Sequence, residues 1–422
     1  MELRERLRLA LPPNAARPAP EPEVRASDLD HRASRLHALP VQPIETAQGP
    51  VYVAEEWWPL DHFHGRIALA DALSLGGAAL SRLTPGLSAA ELAAAAFLDV
   101  ETTGLSGGTG TYVFLVGLGT FEDGAFRLRQ FFLADLWGET AMLTAIAEVL
   151  ERCRALVTFN GRRFDLPLLD TRLTLSRLPA AAPGVPHLDL LYPARRLYSR
   201  RMPSCRLAAL ECALLGVERE DDVPGWAIPA LYFEYVRRGE ARPLRAVFKH
   251  NALDILSLVV LAAHLGRLWS TSAREDPDDC LALARCEESE GRVLEAIALY
   301  EAALGSGLDG DLRAYARRRM ACLCRRRGRW EDAARLWQEE AGDGGPVGRR
   351  LEALVELAKL EEHRRRDYAA AEALTRRALS LLEVVSIRDG SSGICLVQRE
   401  ALEHRLWRLR RRLATGRGGR QA

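Results

Sequence analysis

Three short stretches of this chain place carboxylates, and one histidine, at spacings that could gather them around a cation. In FLDVETTGL, Asp99 and Glu101 are two apart. On a strand that spacing puts both on one face, together with Phe97 by parity. Two adjacent acids repel each other, so they need either solvent at a strand end or a cation. In TFNGRRFDLPLL, Asp165 follows an Asn160-Gly161 turn and opens an apolar helical pattern. On that fragment alone, helix capping and metal ligation are equal readings. In FKHNALDILSL, His250 and Asp254 are four apart, one helical turn, and Asp254 sits among Leu253, Ile255, Leu256 and Leu258. A carboxylate in such apolar company is costly unless paired or bound to metal.

Converging carboxylates are what hard divalent ions select, because Mg²⁺ and its relatives prefer oxygen ligands. In two-metal phosphoryl-transfer sites such ions lie about 3.5–4 Å apart and serve both the attacking and the leaving oxygen. A histidine beside them could take a proton from water, since an ordinary imidazole titrates near neutrality. Asn160, Arg162, Arg163 and Phe164 flank the second motif, where they could contact substrate: the arginines its phosphates, Phe164 and Asn160 its other groups. GLSGGTGT, by contrast, lacks the Lys-Ser/Thr of a phosphate-binding P-loop and reads as a turn into the next strand.

The elements expected to position these groups begin at Ala94. AAFLDV, TYVFLVGLGTF and AFRLRQFFL read as strands, the last two joined by the hairpin signal Asp123-Gly124. A helix over Glu139–Cys153, a strand ALVTFN, a helix over Phe164–Leu178 and a short strand HLDLLY follow. Further helices are expected at Cys205–Leu215, Ile228–Arg238 and about Pro243–Trp269. Three hairpin-capable strands followed by alternating helix and strand predict an α/β mixed sheet with flanking helices.

Taken in order, D-x-E on the first strand, N-G-x-x-F-D at a strand-to-helix turn and H-x-x-x-D on a late helix, these motifs resemble the DEDD exonuclease superfamily. More closely, they resemble the YprB-type ribonuclease-H-like domain, which also occurs joined to tetratricopeptide repeats. The resemblance covers about residues 94–266 and takes in HLDLLYPARRLY, with His187, Asp189 and Arg195, and the Asp221–Gly225 segment. It implies Asp99, Glu101, Asp165 and Asp254 as carboxylates for two Mg²⁺ or Mn²⁺ ions. Asp99 would bridge both, Glu101 and Asp254 would hold one, and Asp165 would act directly or through water. His250 falls at the general base, at the four-residue spacing that usually carries Tyr. His187 and Asp189 could support the site from behind, though a purely structural hydrogen bond is an equal reading. Asp221 and Asp222 read as loop residues capping the next helix. The implied activity is metal-dependent hydrolysis of RNA or single-stranded DNA, in the 3′-5′ exonuclease sense. The alternatives are a catalytically inactive nucleic-acid-binding scaffold acting through its repeats, and a structure-specific endonuclease.

Around this domain, residues 1–48 read as a flexible Pro/Ala/Arg-rich leader, 49–93 as an extension packing on the domain over 94–269, and 270–278 as a polar linker. Over 279–385 similar phrases recur, and aligning Val293, Trp330 and Tyr368 gives steps of 37 and 38 residues. Each unit reads as helix, polar turn and Ala-rich helix, resembling tetratricopeptide repeats with longer joins and offering a surface for a protein partner. Residues 386–422 read as an Arg-rich helix and tail, with Arg405, Arg408, Arg410, Arg411 and Arg412 on a solvated face. The net charge is only +1, so the whole molecule offers no electrostatic case for nucleic acid. Lys249 and Lys359 are the only lysines, so arginine clusters carry less meaning here than usual. The eight cysteines form no CxxC pair and read as small buried hydrophobes in a reducing cytosol. Neither a signal peptide nor a membrane span is expected, the apolar run near Ile255–Leu265 being too short, so a cytoplasmic protein is the expectation.

Overall fold

The structure, a computed structural model, describes residues 36–104, 110–181, 184–270, 276–342, 344–389 and 393–418. Most of the expected leader, the glycine-rich turn at 105–109, part of the expected linker and the extreme tail lie outside these residues. The chain groups into two compact units, each discontinuous in sequence. The first takes residues up to Leu73, Ala90–Asp189 and Leu215–Leu261; the second takes Ser74–Ala89, Leu190–Leu214 and Ala262 onward.

The first unit is built on a seven-stranded mixed sheet: β1 (Gln42–Thr46), β2 (Gly49–Pro59), β5 (Ala95–Thr102), β6 (Val113–Glu122), β7 (Ala125–Phe132), β8 (Ala155–Thr158) and β9 (His187–Asp189). The spatial order is β1-β2-β7-β6-β5-β8-β9. The start of the expected extension joins the sheet itself: β2 pairs antiparallel with β7 over Tyr52–Pro59. The small hairpin of β3 (Phe63–His64) and β4 (Ile67–Ala68) stands apart from the large sheet, and the short helices α1 (Ala70–Leu73) and α3 (Ala89–Ala93) lie between it and β5 in the chain. Asp123 and Gly124 both take positive φ at the β6–β7 turn, as a tight hairpin requires. β5, β8 and β9 run parallel, so the ends of β5 and β8 lie on one edge of the sheet. Beyond β8, the helix α5 (Asp165–Leu175) follows the Asn160-Gly161 turn; an Arg172–Glu139 ion pair ties it to the start of α4 (Glu139–Leu150).

The long helix α9 (Leu244–Leu268) lays its first residues on the sheet face that carries Phe97, Asp99 and Gly117. Its 25 residues correct the reading of a short apolar run: by length and composition it could cross a membrane, but its apolar stretch is mostly buried in the fold. The backbones meet so closely at Gly117 that a Cβ there would lie 2.3 Å from Asn251 Oδ1. α8 (Ile228–Arg238) seals one end of the core: Tyr232 stacks on Phe114 at 4.1 Å and donates to the Leu133 carbonyl. Two boundaries differ from expectation. The HLDLLY strand stops at Asp189 and continues as α6 (Leu191–Tyr198), whose buried Leu191, Ala194, Leu197 and Tyr198 follow a helical, not an alternating, period. The helix expected over Cys205–Leu215 is a short α7 (Leu207–Leu210) widened into a π turn over Glu211–Leu215.

The second unit is helical. It holds α2 (Gly77–Leu83), α6, α7 and then the pairs α10 (Pro277–Ser289) with α11 (Val293–Gly305), α12 (Gly310–Arg326) with α13 (Trp330–Gly342) and α14 (Val347–Leu360) with α15 (Tyr368–Asp389), closed by α16 (Gly393–Gly418). Val293, Trp330 and Tyr368, aligned from the sequence, each open the second helix of a pair, which is consistent with a repeat. Successive pairs are stitched by arginine–glutamate contacts, Arg319 on Glu288 and Arg325 on Glu356, while Arg317 on Glu340 holds one pair together. The C-terminal arginines are only in part the solvated face expected: Arg410, Arg411 and Arg412 are exposed, but Arg405 and Arg408 are not. Arg405 and Arg408 converge on Glu362, whose side chain is fully buried; Arg410 pairs with Glu372, and Arg412 lies over the Tyr368 ring. A buried carboxylate has to be paired, and α16 supplies the charge. Of the cysteines, Cys153, Cys280, Cys286 and Cys324 are buried, whereas Cys212 is exposed.

The contact at Gly117 leads to a test. Gly117→Ala forces Asn251 away from the sheet, and a loss of about 1–3 kcal/mol in chemical denaturation is expected, as for other overpacked interiors. A neutral outcome would show that α9 can shift freely on the sheet.

Candidate metal centre

Asp99 and Glu101 lie on β5, on the face covered by α9; Asp165 is the first residue of α5, and Asp254 lies on α9 one turn after His250. Local structure explains each placement. β5 runs from a fully buried Phe97 to a partly open end, so the acids fall where the strand leaves the core. Asn160 takes a left-handed φ of 65° and its N–H donates to Asp189 Oδ1 at 2.7 Å, while Arg162 N–H donates to Asp189 Oδ2 at 3.1 Å. Asp189, buried on β9, thereby fixes the turn that delivers Asp165. Asp165 also takes a backbone hydrogen bond from Val100, which pins it against β5.

The structure brings the four acids together. Burial pushes the Asp99 carboxyl well above its ordinary range, and Asp254, Glu101 and Asp165 push it further. Glu101 is raised in the same way, by burial and then by Asp254, Asp165 and Asp222, against a lowering pull from Arg219. Asp165 is pushed up to about 7, by burial first and then by Asp189 and Asp254. Ligand atoms of Glu101, His250 and Asp254 all lie within 4.8 Å of one another.

His250 has two distinct sides. Its Nδ1 meets Asp222 Oδ1 at 2.8 Å, and its Nε2 lies 3.4 Å from Asp254 Oδ2. If Nδ1 carries the proton to Asp222, Nε2 faces the acids as an acceptor. Asp222 is therefore not the helix cap read from sequence; its carboxylate serves His250 and Arg219. Although burial alone would raise it, hydrogen bonds from His250 and Arg219 hold the Asp222 carboxyl below its ordinary value. Arg219 reaches Asp222 at 3.1 Å and also Asp254.

Sequence reasoning missed three residues here. Asn251 is fully buried; its Nδ2 donates to Asp99 Oδ2 at 2.8 Å, and its Oδ1 accepts from Gln130 Nε2 at 2.9 Å. Gln130 also donates to the Phe248 carbonyl, and so fixes which end of Asn251 faces Asp99. Arg219 is the third. The nearest signals were a polar Asn beside His250 and an Arg three residues before Asp222, neither of which stands out alone. Of the remaining candidates, Phe164 is 46% exposed beside Asp165, and Arg162 and Arg163 are exposed. The Arg162 guanidinium donates to the His187 carbonyl. His187 bonds Thr158 Oγ1 at 2.9 Å, and burial, helped by Arg162, lowers it to about 4, so it is neutral near pH 7.

Residues 96–266, which carry all of this geometry, match the family model described as RNase_H superfamily. That stretch is an RNase_H superfamily domain. Over 375 residues the chain is also 29% identical to "Uncharacterized protein YprB" of Bacillus subtilis (strain 168), with 86% of each protein covered. The RNase_H superfamily domain thus contains the whole acid cluster, with Asp99 near its start and Asp254 near its end.

The side chains fit a hard divalent cation. Four carboxylates repel one another in a poorly solvated corner, and the single guanidinium of Arg219 answers only part of that charge. The folded-state pKa values of Asp99, Glu101 and Asp165 are raised, so these acids bind more protons folded than unfolded. Their contribution to stability is therefore greatest at acid pH and is lost as pH rises through the folded values, about 7 for Asp165. In EDTA near pH 8, Asp99→Asn is expected to melt roughly 2–4 °C above wild type, the shift for about 1 kcal/mol. The gap should close toward pH 4. Mn²⁺ should raise the wild-type melting point and move the variant little. An Mn²⁺ shift of equal size in both proteins would remove Asp99 from the metal centre.

Proposed function

We propose that this domain is a metal-dependent nuclease that removes nucleotides from the 3′ end of RNA or single-stranded DNA. The supporting observation is the meeting of Asp99, Glu101, Asp165 and Asp254 at one point, with His250 Nε2 turned toward them. Polarity and exonucleolytic action rest on the resemblance to DEDD exonucleases.

Asp99, Glu101 and Asp254, joined by Asp165, would hold two Mg²⁺ or Mn²⁺ ions. When bound, such ions supply Lewis acidity and offset the charge that develops on a phosphodiester undergoing attack. The chain's own groups do the rest. Asn251 holds the Asp99 carboxylate in one orientation. Asp222 keeps the imidazole turned so that His250 Nε2 can accept a proton from the attacking water. The exposed ring of Phe164 offers a stacking surface for a base next to the cluster, and Arg163 offers charge for the backbone. The helical pairs of the second unit would present a surface to a protein partner or guide the substrate.

The test is a time course on end-labelled RNA and DNA with Mg²⁺ or Mn²⁺, comparing wild type with Asp254→Asn. Mononucleotides should appear from the first time points, and Asp254→Asn should slow them by on the order of 100-fold or more. Large internal fragments would instead make the protein an endonuclease. Tight binding without cleavage under every metal condition would leave it a nucleic-acid scaffold.

A further inference from the structure

At the opposite end of β5 from the acids, a cavity of about 290 Å³ opens among Arg127, Arg129, Arg152, Glu122, Val149 and Cys153. Ala95 starts β5 on its wall, and Asp99 and Glu101 lie four and six residues further on, so the two places are roughly 13–20 Å apart along the strand.

The charges in this cavity do not balance. Three guanidinium groups line it against one carboxylate, two if Glu55 beyond the lining is counted with Arg127, and both Glu122 oxygens are already engaged. Oε2 accepts from Arg127 Nη1 at 2.9 Å; Oε1 accepts from Arg129 Nη2 at 2.9 Å and from the Thr120 hydroxyl at 2.6 Å. Arg127 turns its Nη2 away to Glu55. The Nε–H groups of Arg127 and Arg129 remain sequestered from solvent, with no acceptor among the described residues. Buried donors of charged groups are rarely left unpaired, and a missing partner points to a water or an ion. Cys153 cannot supply the anion, because burial pushes its thiol up to about 11. Burial also lowers the Arg129 pKa, as it does for a guanidinium with incomplete compensation.

We infer that this cavity binds a small phosphate-class oxyanion, held between the side chains of Arg127 and Arg129 with Arg152 at its mouth. Arginines two apart on a strand project from the same face. Arg127 Nη1 and Nη2 and Arg129 Nη2 are already on carboxylates, so the sequestered donors left for the anion are the two Nε–H groups, and a tetrahedral oxyanion has acceptors enough to take both. Such an anion could be free phosphate or the phosphate of a mononucleotide. The inference is independent of the nuclease reading.

The test is isothermal titration calorimetry on the full chain in EDTA, with sodium phosphate in one arm and 5′-AMP in the other. Saturable binding of one equivalent is expected in at least one arm. Phosphate alone marks free phosphate as the ligand; tighter AMP marks a nucleotide. Arg129→Gln should weaken binding about tenfold or more, and Asp99→Asn should leave it unchanged. Arg152→Ser alters an exposed side chain and covers the case in which Arg129→Gln fails to fold; it should weaken binding several-fold. Absence of saturable heat in both arms would assign the cavity to water alone. Binding unaffected by the arginine substitutions would place the anion elsewhere. Either result overturns the inference.

Discussion

Like charges at close range in a poorly solvated corner are the constraint around which the first unit is organised. Asp99, Glu101, Asp165 and Asp254 come from one strand, one turn and one late helix, and the other three all raise the proton affinity of Asp99. Nothing in backbone preference calls for such a meeting. The fold tolerates it because the surrounding elements are anchored elsewhere: Arg172 ties α5 to α4, Tyr232 and Tyr235 bind the carbonyls after β7, and Asp189 grips the turn before α5. Arg219 then answers part of the charge from a loop, as an internal counter-ion between Asp222 and Asp254.

The close approach of α9 to the sheet is the second enabling feature. Gly117 pairs with Asp99 on one side and with Gln130 on the other. Its missing side chain makes room for Asn251, which links the two neighbours through its amide. A glycine in a central strand costs conformational entropy and packing surface. Here it lets a polar relay run from β7 to β5 beneath the helix and fixes the direction of one carboxylate.

Much of this is legible in the amino-acid sequence. The apolar run AAFLDV marked a strand and the D-x-E spacing placed two acids on one of its faces, while the i,i+4 spacing placed His250 and Asp254 on one helix face, because both periods are properties of the backbone itself. The repeat phrases marked the starts of three helices, since each helix opens where its polar turn ends. What stayed hidden was long-range. Asn251 looked like any polar residue on a helix, and its role depends on a glycine and a glutamine more than a hundred residues away. Asp222 looked like a cap because a loop acid before a helix usually is one; its bond to His250 comes from tertiary packing. The Arg-rich last helix looked solvated because composition cannot show that Glu362, over forty residues earlier, lies buried beneath it.

The two compact units are interleaved along the chain, so neither is finished when its first residues leave the ribosome. Arg82, Arg196 and Arg201 are made before α10, whose Asp279 and Glu287, with Glu290 just past its end, are their ion-pair partners. Until that helix emerges, segments 74–89 and 190–214 must wait with apolar side chains uncovered, among them Leu80 and Leu197. A gene fragment cut near residue 269 would make that wait permanent. It would yield a polypeptide with the entire acid cluster and a strong tendency to precipitate.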